Sequence, residues 1–141
     1  MLNVDEILNG VVIDHITAGT GLALYHLMEL EQLKDASVAL LQNVRSQKSG
    51  RKDIIKIENV EGIDLDVLGL VARQATVDIV RGGRIVEKVQ PHLPERVVNV
   101  ITCVNPRCVT TTERGIDQMF HLAHSQRQEY RCDYCDEEAK L

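Results

Sequence analysis

The first part of the chain alternates between β-rich apolar runs and a segment whose apolar residues have helical spacing. Residues 11–16 are Val and Ile interrupted by one aspartate and one histidine, which predicts a strand. Residues 22–33 place apolar side chains three and four positions apart, as in an amphipathic helix that covers a sheet. A turn with two glycines separates the two segments, and we expect Thr17 or Thr20 to cap the helix.

The pattern continues with four more strands and a second helix. We expect a long, mobile turn at residues 45–50 and a helix N-cap at Asp64. The adjacent glycines Gly82 and Gly83 provide the positive φ angles that a two-residue hairpin turn requires. The order β-α-β-β-α-β plus one strand predicts an α+β, ferredoxin-like antiparallel sheet with two helices on one face. The predicted strands are residues 37–44, 51–58, 76–80 and 85–89, and the second helix spans residues 65–72.

Two prolines close together after residue 90 end this pattern, because neither a strand nor a helix continues through them. We therefore divide the chain into an N-terminal domain of residues 1–93 and a C-terminal domain of residues 94–141. Within the second domain we predict a strand at residues 96–102 and one or two strands between residues 115 and 130. This small all-β domain is too short to be stabilised by apolar burial alone.

The C-terminal domain contains all four cysteines of the chain, arranged as C-x4-C, a longer insertion and C-x2-C. Each close pair can form a tight knuckle, and the insertion allows the second knuckle to fold over the first. Four thiolates at about 2.3 Å from Zn²⁺ are typical of a closed tetrahedral site. Complete sulfur ligation leaves no position open for water, so we expect one structural zinc ion per chain. The predicted ligands are Cys103, Cys108, Cys132 and Cys135.

Two other uses of the cysteines remain open from their spacing: a pair of disulfides, or a redox dithiol at Cys132 and Cys135. The opening residues have neither the basic start nor the apolar core of a secretory signal. We therefore expect a cytoplasmic protein, in which thiols stay reduced and metal binding is favoured over disulfides. No apolar run approaches the ~20 residues that span a bilayer, so we expect no membrane insertion.

Composition bears on the class of partner. The net charge is −5 and aromatic residues make up only 3% of the chain. Both features disfavour a nucleic-acid-binding surface, which normally has a basic surplus and aromatic side chains for base stacking. A zinc-ribbon nucleic-acid-binding protein nevertheless remains the leading alternative, because several arginines accompany the cysteines. These arginines are Arg107, Arg114, Arg127 and Arg131.

Four residues in the N-terminal domain are candidates for ligand chemistry. Lys56 and Lys88 lie late in two predicted strands, where they could converge on phosphate or could simply be solvated strand charges. Spacing alone favours the solvated interpretation. Asp14 and His15 are neighbours on the first strand, and regular alternation would turn them to opposite faces. A small enzyme using this pair is a distant alternative that lacks an orienting third group, so we predict no catalytic residue.

Taken together, several stretches resemble the regulatory chain of aspartate carbamoyltransferase over nearly the whole length. These are VIDHI at residues 12–16, GRKDIIKIEN at 50–59, QATV at 74–77 and LPER at 93–96, followed by the cysteine framework. The resemblance implies a chain with no catalysis of its own. It implies that CTP and ATP bind to the N-terminal domain and that regulatory chains pair with each other. It also implies that the zinc domains hold catalytic trimers in a dodecameric enzyme that acts in pyrimidine biosynthesis.

The resemblance also implies roles for individual residues and overturns the solvated interpretation of the two lysines. Asp78 stands where members of the family usually have asparagine, and Gly83 replaces a bulkier residue. Arg107 also departs from the family pattern and implies a differently charged partner surface. The implied nucleotide-binding residues are Asp5, Ile7, Asp14, His15, Lys56, Asp78, Ile85 and Lys88. The implied contacts to the catalytic chain are Asn105, Arg107, Tyr134 and Asp136.

Overall fold

A computed structural model describes residues 6–47 and 50–140 of the 141-residue chain. The chain divides into two compact units, Met1–His92 and Leu93–Leu141. Within its described residues, the first unit contains five strands and two α-helices, with a 3-10 helix at Leu30–Gln32. Its strands are β1 (Gly10–Thr17), β2 (Ser37–Ser46), β3 (Gly50–Glu58), β4 (Thr76–Arg81) and β5 (Arg84–Val89), and its helices are α1 (Gly21–Leu27) and α2 (Leu65–Val71).

The five strands form one antiparallel sheet in the order β2-β3-β1-β4-β5. This order is the split βαβ arrangement with β5 added at one edge, which confirms the predicted ferredoxin-like fold. The core lies on the helical side of the sheet, where Ile13 and Ile55 pack with Leu24 of α1 and Leu68 of α2. Side chains that alternate with these core residues point to the other, open face of the sheet.

Three predicted boundaries in this unit were wrong. Helix α1 ends at Leu27 and does not continue to residue 33, because Glu29 adopts a left-handed conformation with φ of 55° that an α-helix cannot include. Strands β2 and β3 extend into the predicted loop at residues 45–50, where Ser46 pairs with Gly50. The connection is therefore shorter than the sequence suggested.

The predicted alternation of Asp14 and His15 was also wrong. Ile13 and Ile16 are both fully buried, although only two residues separate them, and the pairing of β1 with β3 shifts between them. This is a β-bulge, in which His15 takes a φ of 58°. The extra residue places both Asp14 and His15 outside the core, where each is half-buried.

The two helix N-termini are capped differently. Asp64 caps α2 as predicted, since its carboxylate accepts a hydrogen bond of 2.9 Å from Asp66 N–H. Thr20 occupies the N-cap position of α1, but its side chain makes no capping bond. The carboxylate of Asp53, fully buried in β3, instead accepts hydrogen bonds from the N–H groups of Gly19 and Gly21.

The second unit has a three-stranded antiparallel sheet in the order β6-β7-β8, formed by Arg96–Val98, Met119–His124 and Glu129–Cys132. Strand β6 is shorter than predicted, because Asn99 turns the chain with a φ of 58°. A four-residue helix, α3 (Val109–Thr112), follows the first cysteine pair and was not predicted. The described residues include no helix that is long and apolar enough to span a bilayer.

Candidate metal centre and ligand-binding face

The four cysteines of the second unit converge on one point. Their sulfur atoms all lie within 4.8 Å of one another, and all four thiols are free. The Sγ atoms of Cys103 and Cys135 are 3.6 Å apart, and those of Cys108 and Cys132 are 3.7 Å apart. Ligands at about 2.3 Å from a tetrahedral zinc ion are separated by roughly 3.8 Å, whereas bonded sulfurs lie only about 2.05 Å apart. The donor set and spacing therefore fit a four-thiolate metal site.

Backbone hydrogen bonds shape the two knuckles that present these sulfurs. In the first knuckle, Cys108 N–H donates to the carbonyl of Asn105 over 3.1 Å, and the Asn105 side chain accepts from Arg107 N–H over 3.0 Å. In the second, Asp136 N–H donates to the carbonyl of Cys132 over 2.9 Å, with Asp136 at a φ of 65°. Both turns are thus formed by local bonds that do not involve the thiols.

In the absence of a metal ion, the thiols differ in acidity. The Thr110 hydroxyl donates to Cys108 Sγ over 3.1 Å, and this bond, with the Thr110 backbone, lowers the pKa of Cys108 to about 7. Burial raises the pKa of Cys103 to about 12 and also raises the pKa of Cys132. A divalent cation strongly stabilises a cluster of this kind, because it offsets the cost of burying deprotonated thiols.

On the open face of the N-terminal sheet, four residues form one row across adjacent strands. Lys56 of β3 pairs with Val12 of β1, Val12 pairs with Asp78 of β4, and Asp78 pairs with Lys88 of β5. Ile55 and Ile57 on either side of Lys56 are fully buried, so this row points away from the helices. Three of the predicted nucleotide-binding residues therefore share one row on one face.

A second row, two residues further along β3, β1 and β4, includes Glu58, Gly10 and Val80. A register shift in the β4–β5 pairing brings Ile85, three residues before Lys88, into the same row. The predicted residue Ile85 thus neighbours the first row and is half exposed. Beside these rows, Ile7 borders a pocket of about 180 Å³ that the side chains of β2 and β3 complete. The pocket is lined by Glu6, Ile7, Ser37, Val38, Ala39, Lys56 and Glu58. The predicted residue Asp5 lies outside the described residues.

The β-bulge of β1 brings Asp14 and His15 to the same region. Asp14 Oδ1 accepts a hydrogen bond from His15 N–H over 2.7 Å and lies 2.9 Å from the Lys52 ammonium group. The His15 ring is 3.0 Å from the hydroxyl of Thr76, the residue that pairs with Asp14 on β4. These contacts hold both side chains in place, close to the row that contains Asp78.

Two family models match the chain. The allosteric domain of the aspartate carbamoyltransferase regulatory chain matches residues 2–92, and the metal binding domain of the same chain matches residues 95–140. The chain belongs to the aspartate carbamoyltransferase regulatory chain family. A regulatory chain from Bifidobacterium longum is 63% identical over 140 residues, covering 99% of this chain and 100% of the relative. A regulatory chain from Clostridium botulinum is 47% identical, covering 97% of this chain and 93% of the relative. One from Clostridium tetani is 44% identical, covering 100% of this chain and 98% of the relative.

Membership in this family confirms that the protein is a regulatory and not a catalytic chain, with an allosteric domain followed by a metal-binding domain. It also implies a catalytic chain as the partner. Two of the four arginines that supported the nucleic-acid alternative, Arg127 and Arg131, are ion-paired to Glu129, at 3.5 and 2.8 Å. The pairing raises the pKa of Arg131 and lowers that of Glu129.

The four predicted contacts of the regulatory chain with its partner lie in the two knuckles. Asn105 and Arg107 belong to the first knuckle, where Asn105 is half-buried and Arg107 is exposed. Tyr134 and Asp136 belong to the second, and both are exposed. The backbone carbonyl of Asp136 accepts a hydrogen bond of 2.8 Å from the guanidinium of Arg131. The side chains of Arg107 and Tyr134 are therefore accessible to a neighbouring chain.

Three residues that position the first unit's elements and side chains were not among the predicted site residues. Lys52 and Thr76 hold Asp14 and His15 at the open face, and Asp53 caps α1 on the helical side of the sheet. Lys52 could have been found from alternation, since it lies four residues before Lys56 and so on the same side of β3. Asp53 also had a signal, because it is an acidic residue in register with the buried Ile55. Thr76 had none, because its role depends on the pairing of β1 with β4.

Proposed function

We propose that this regulatory chain binds CTP and ATP on the open face of its allosteric domain. The observation that supports this proposal best is the row that aligns Lys56, Asp78 and Lys88 across adjacent strands. Two ammonium groups on one face suit a triphosphate, because lysine acts as a compact positive charge toward phosphate oxygens. Asp14 and His15, fixed by Lys52 and Thr76, add polar groups beside the same row.

The pocket beside Ile7 and Lys56 supports a division of the nucleotide between two places. Its volume of about 180 Å³ is smaller than the ~300–1,000 Å³ of a pocket that encloses a whole drug-sized ligand. We therefore assign the base to this pocket, the ribose to the face between the pocket and Ile85, and the phosphates to the part of the row that ends at Lys88. Asp5, the one predicted nucleotide-binding residue that lies outside the described residues, does not enter this assignment.

We further propose that the four cysteines bind one structural zinc ion, which stabilises both knuckles when it is present. The support is the all-thiolate donor set with sulfur separations of 3.6 and 3.7 Å. The knuckles then present Asn105, Arg107, Tyr134 and Asp136 to the catalytic chain. We propose that the complete enzyme is a cytoplasmic dodecamer that acts in pyrimidine biosynthesis. In this dodecamer, the contact would link catalytic trimers to pairs of regulatory chains. The exposed apolar side chain of Val86 on edge strand β5, at 58% exposure, supports such pairing.

The regulatory mechanism follows from linkage. A nucleotide that binds the allosteric domain more tightly in one quaternary state shifts the enzyme toward that state. The shift cannot exceed the difference in binding free energy, which is typically about 1–3 kcal/mol. The metal-binding domain transmits the shift because it joins the regulatory chain to the catalytic chain.

The nucleotide proposal is tested with Lys88→Ala, using Glu87→Ala as the matched control. Glu87 is the neighbouring residue on β5 and pairs with Ile79, so it belongs to the row on the other side of the sheet. We expect Lys88→Ala to weaken CTP and ATP binding roughly ten- to hundredfold in calorimetry, since charged hydrogen bonds contribute roughly 1.5–3 kcal/mol. Complexes with catalytic trimers should still form but lose their response to nucleotide. Unchanged affinities in Lys88→Ala would refute the site assignment.

The metal proposal is tested by metal analysis and by chelation. We expect one zinc ion per chain, and loss of that ion in Cys108→Ser. Chelation should remove amide-exchange protection from residues 93–141 while the sheet of the first unit stays protected, since small metal domains fold with their metal. It should also release catalytic trimers from the mixed complex, as followed by light scattering. A chelated chain that keeps protection in both units would contradict a stabilising metal.

A further inference from the structure

Residues 6–9, here called the N-terminal strap, are fastened at two places on the allosteric domain. At the turn between β4 and β5, the Asn9 side-chain oxygen accepts a hydrogen bond of 3.1 Å from Gly82 N–H. The carbonyl of Leu8 accepts a second bond of 2.9 Å from Gly83 N–H. Both glycines have positive φ, 59° and 76°, so the turn presents two successive N–H groups to the strap.

The strap is also attached to the end of β3. The carbonyl of Asn9 accepts a hydrogen bond of 2.9 Å from Asn59 N–H. The N–H of Leu8 donates to a carboxylate oxygen of Glu58 over 3.2 Å. The strap therefore connects the end of β3 to the β4–β5 turn and passes beside the start of β1. This is the end of the open face at which Glu58 and Ile85 lie in one row.

The strap contributes to the pocket that receives the base in the proposed function. Glu6 and Ile7 line that pocket together with Lys56 and Glu58. The position of Ile7 depends on the hydrogen bonds of the two residues that follow it. Of these bonds, the one from Gly82 N–H to Asn9 is made by a strap side chain, so a substitution can remove it without altering any backbone.

We propose that Asn9 is a positioning residue of the effector site. By accepting from Gly82 N–H, it fixes the strap so that Ile7 packs against the nucleoside beside Lys56. Asn9 does not lie in the row of Lys56, Asp78 and Lys88, and so it affects recognition of the nucleoside and not of the phosphates. This inference rests on the proposed binding of nucleotide to the open face.

The test compares Asn9→Ala with Asn9→Asp, which keeps an acceptor oxygen for Gly82 N–H. Gln90→Ala serves as the control, because Gln90 also makes an exposed side-chain bond to backbone, to the carbonyl of Arg73, but contacts neither strap nor pocket. Affinities of the full, zinc-loaded chain for CTP, ATP and inorganic tripolyphosphate are measured by calorimetry. The ratio of nucleotide affinity to tripolyphosphate affinity isolates the nucleoside part. Methyl NMR of Ile7 gives a second measure that does not require tripolyphosphate binding.

We expect Asn9→Ala to lower the affinity ratio roughly three- to tenfold, the effect of one hydrogen bond, and to change the Ile7 methyl signal and its response to CTP. Asn9→Asp should restore the ratio, and Gln90→Ala should leave it unchanged. Equal loss of nucleotide and tripolyphosphate binding, or no loss together with an unchanged Ile7 signal, would overturn the inference alone. Absence of nucleotide binding in the unmutated chain would overturn the proposed function and this inference with it.

Discussion

Gly69 of helix α2 lies directly against the backbone carbonyl of His92, with no space between them for a Cβ atom. Glycine in a helix interior is normally unfavourable by about 1 kcal/mol relative to alanine. Here the close approach explains the glycine, because any side chain would collide with the carbonyl oxygen of His92. The end of the allosteric domain is thereby packed on α2, with Pro91 buried beside this contact.

We predict that Gly69→Ala destabilises the allosteric domain by about 1–3 kcal/mol, the usual effect of overpacking, despite the better helix propensity of alanine. The opposing group is backbone and cannot rotate away. Gly62→Ala is the matched control, because nothing lies within 4 Å of a Cβ at that position. Urea unfolding followed by circular dichroism measures both variants. Equal stabilities of Gly69→Ala and Gly62→Ala would show that the chain around His92 can move at little cost.

A second prediction concerns Asp53, whose carboxylate accepts three backbone N–H bonds, from Gly19, Gly21 and Asn43. Asp53→Asn keeps the shape but replaces one acceptor oxygen by a donor that faces an N–H group. We expect a loss of roughly 1.5–3 kcal/mol of unfolding free energy, because hydrogen bonds to charged groups have about this strength.

The matched control for Asp53 is Asp64→Asn at the N-terminus of α2. Asparagine caps helices about as well as aspartate, so this substitution should be nearly neutral. Amide exchange of Gly21 would report the loss of the cap on α1 in Asp53→Asn. A neutral effect of Asp53→Asn would mean that the three N–H groups find other acceptors in the folded chain.

A third prediction concerns Asp78, which pairs with Lys88 in the row assigned to the phosphates. A carboxylate there repels a triphosphate, so Asp78→Asn should tighten CTP and ATP binding roughly three- to tenfold, as expected for a charge interaction of about 1 kcal/mol in a solvated site. The gain should shrink at higher ionic strength, because salt screens exposed charges.

Glu87→Gln makes the same change in charge on the neighbouring residue of β5 and should have little effect on nucleotide binding. Calorimetry at low and at physiological ionic strength distinguishes the two variants. Weaker binding by Asp78→Asn would show that the carboxylate contacts the nucleotide favourably, for example through a ribose hydroxyl.

A fourth prediction concerns pH and the metal-binding domain. The hydrogen bond from Arg131 holds the pKa of Glu129 below its ordinary value of 4.5, with further help from Arg127. The folded state therefore favours the ionised carboxylate. Its stabilising effect is present above pH 4.5 and is lost as pH falls below 4.5 and through the lower, folded-state pKa.

Glu129→Gln should accordingly be less stable than the unmutated chain near neutral pH, and the two stabilities should converge in acid. Urea unfolding in excess zinc over this pH range measures the difference in unfolding free energy between the two proteins. Metal release affects both proteins and therefore cancels from this difference. Glu113→Gln, at the exposed C-terminus of α3, should show no such convergence. A constant difference across the pH range would mean that Glu129 acts through packing and not through its charge.

Local sequence patterns determined much of this protein. Period-two apolar runs identified all five strands of the first sheet, and the Gly82–Gly83 turn and the Asp64 cap were found where expected. Cysteine spacing alone predicted the metal-binding domain. These features depend on neighbours within a few residues, or on the narrow geometric demands of a metal, and so they can be recognised in a linear chain.

Only the tertiary structure decided how distant residues cooperate. The β-bulge that places Asp14 and His15 on one side arises because β1 must keep both Ile13 and Ile16 in the core. The row from Lys56 to Lys88 depends on strand register, which joins residues 32 positions apart in sequence. Register and bulges are selected by the packing of the whole sheet. The sequence by itself therefore determined the strands of the first sheet and the candidate metal ligands, whereas only the fold decided which residues share the row on its open face.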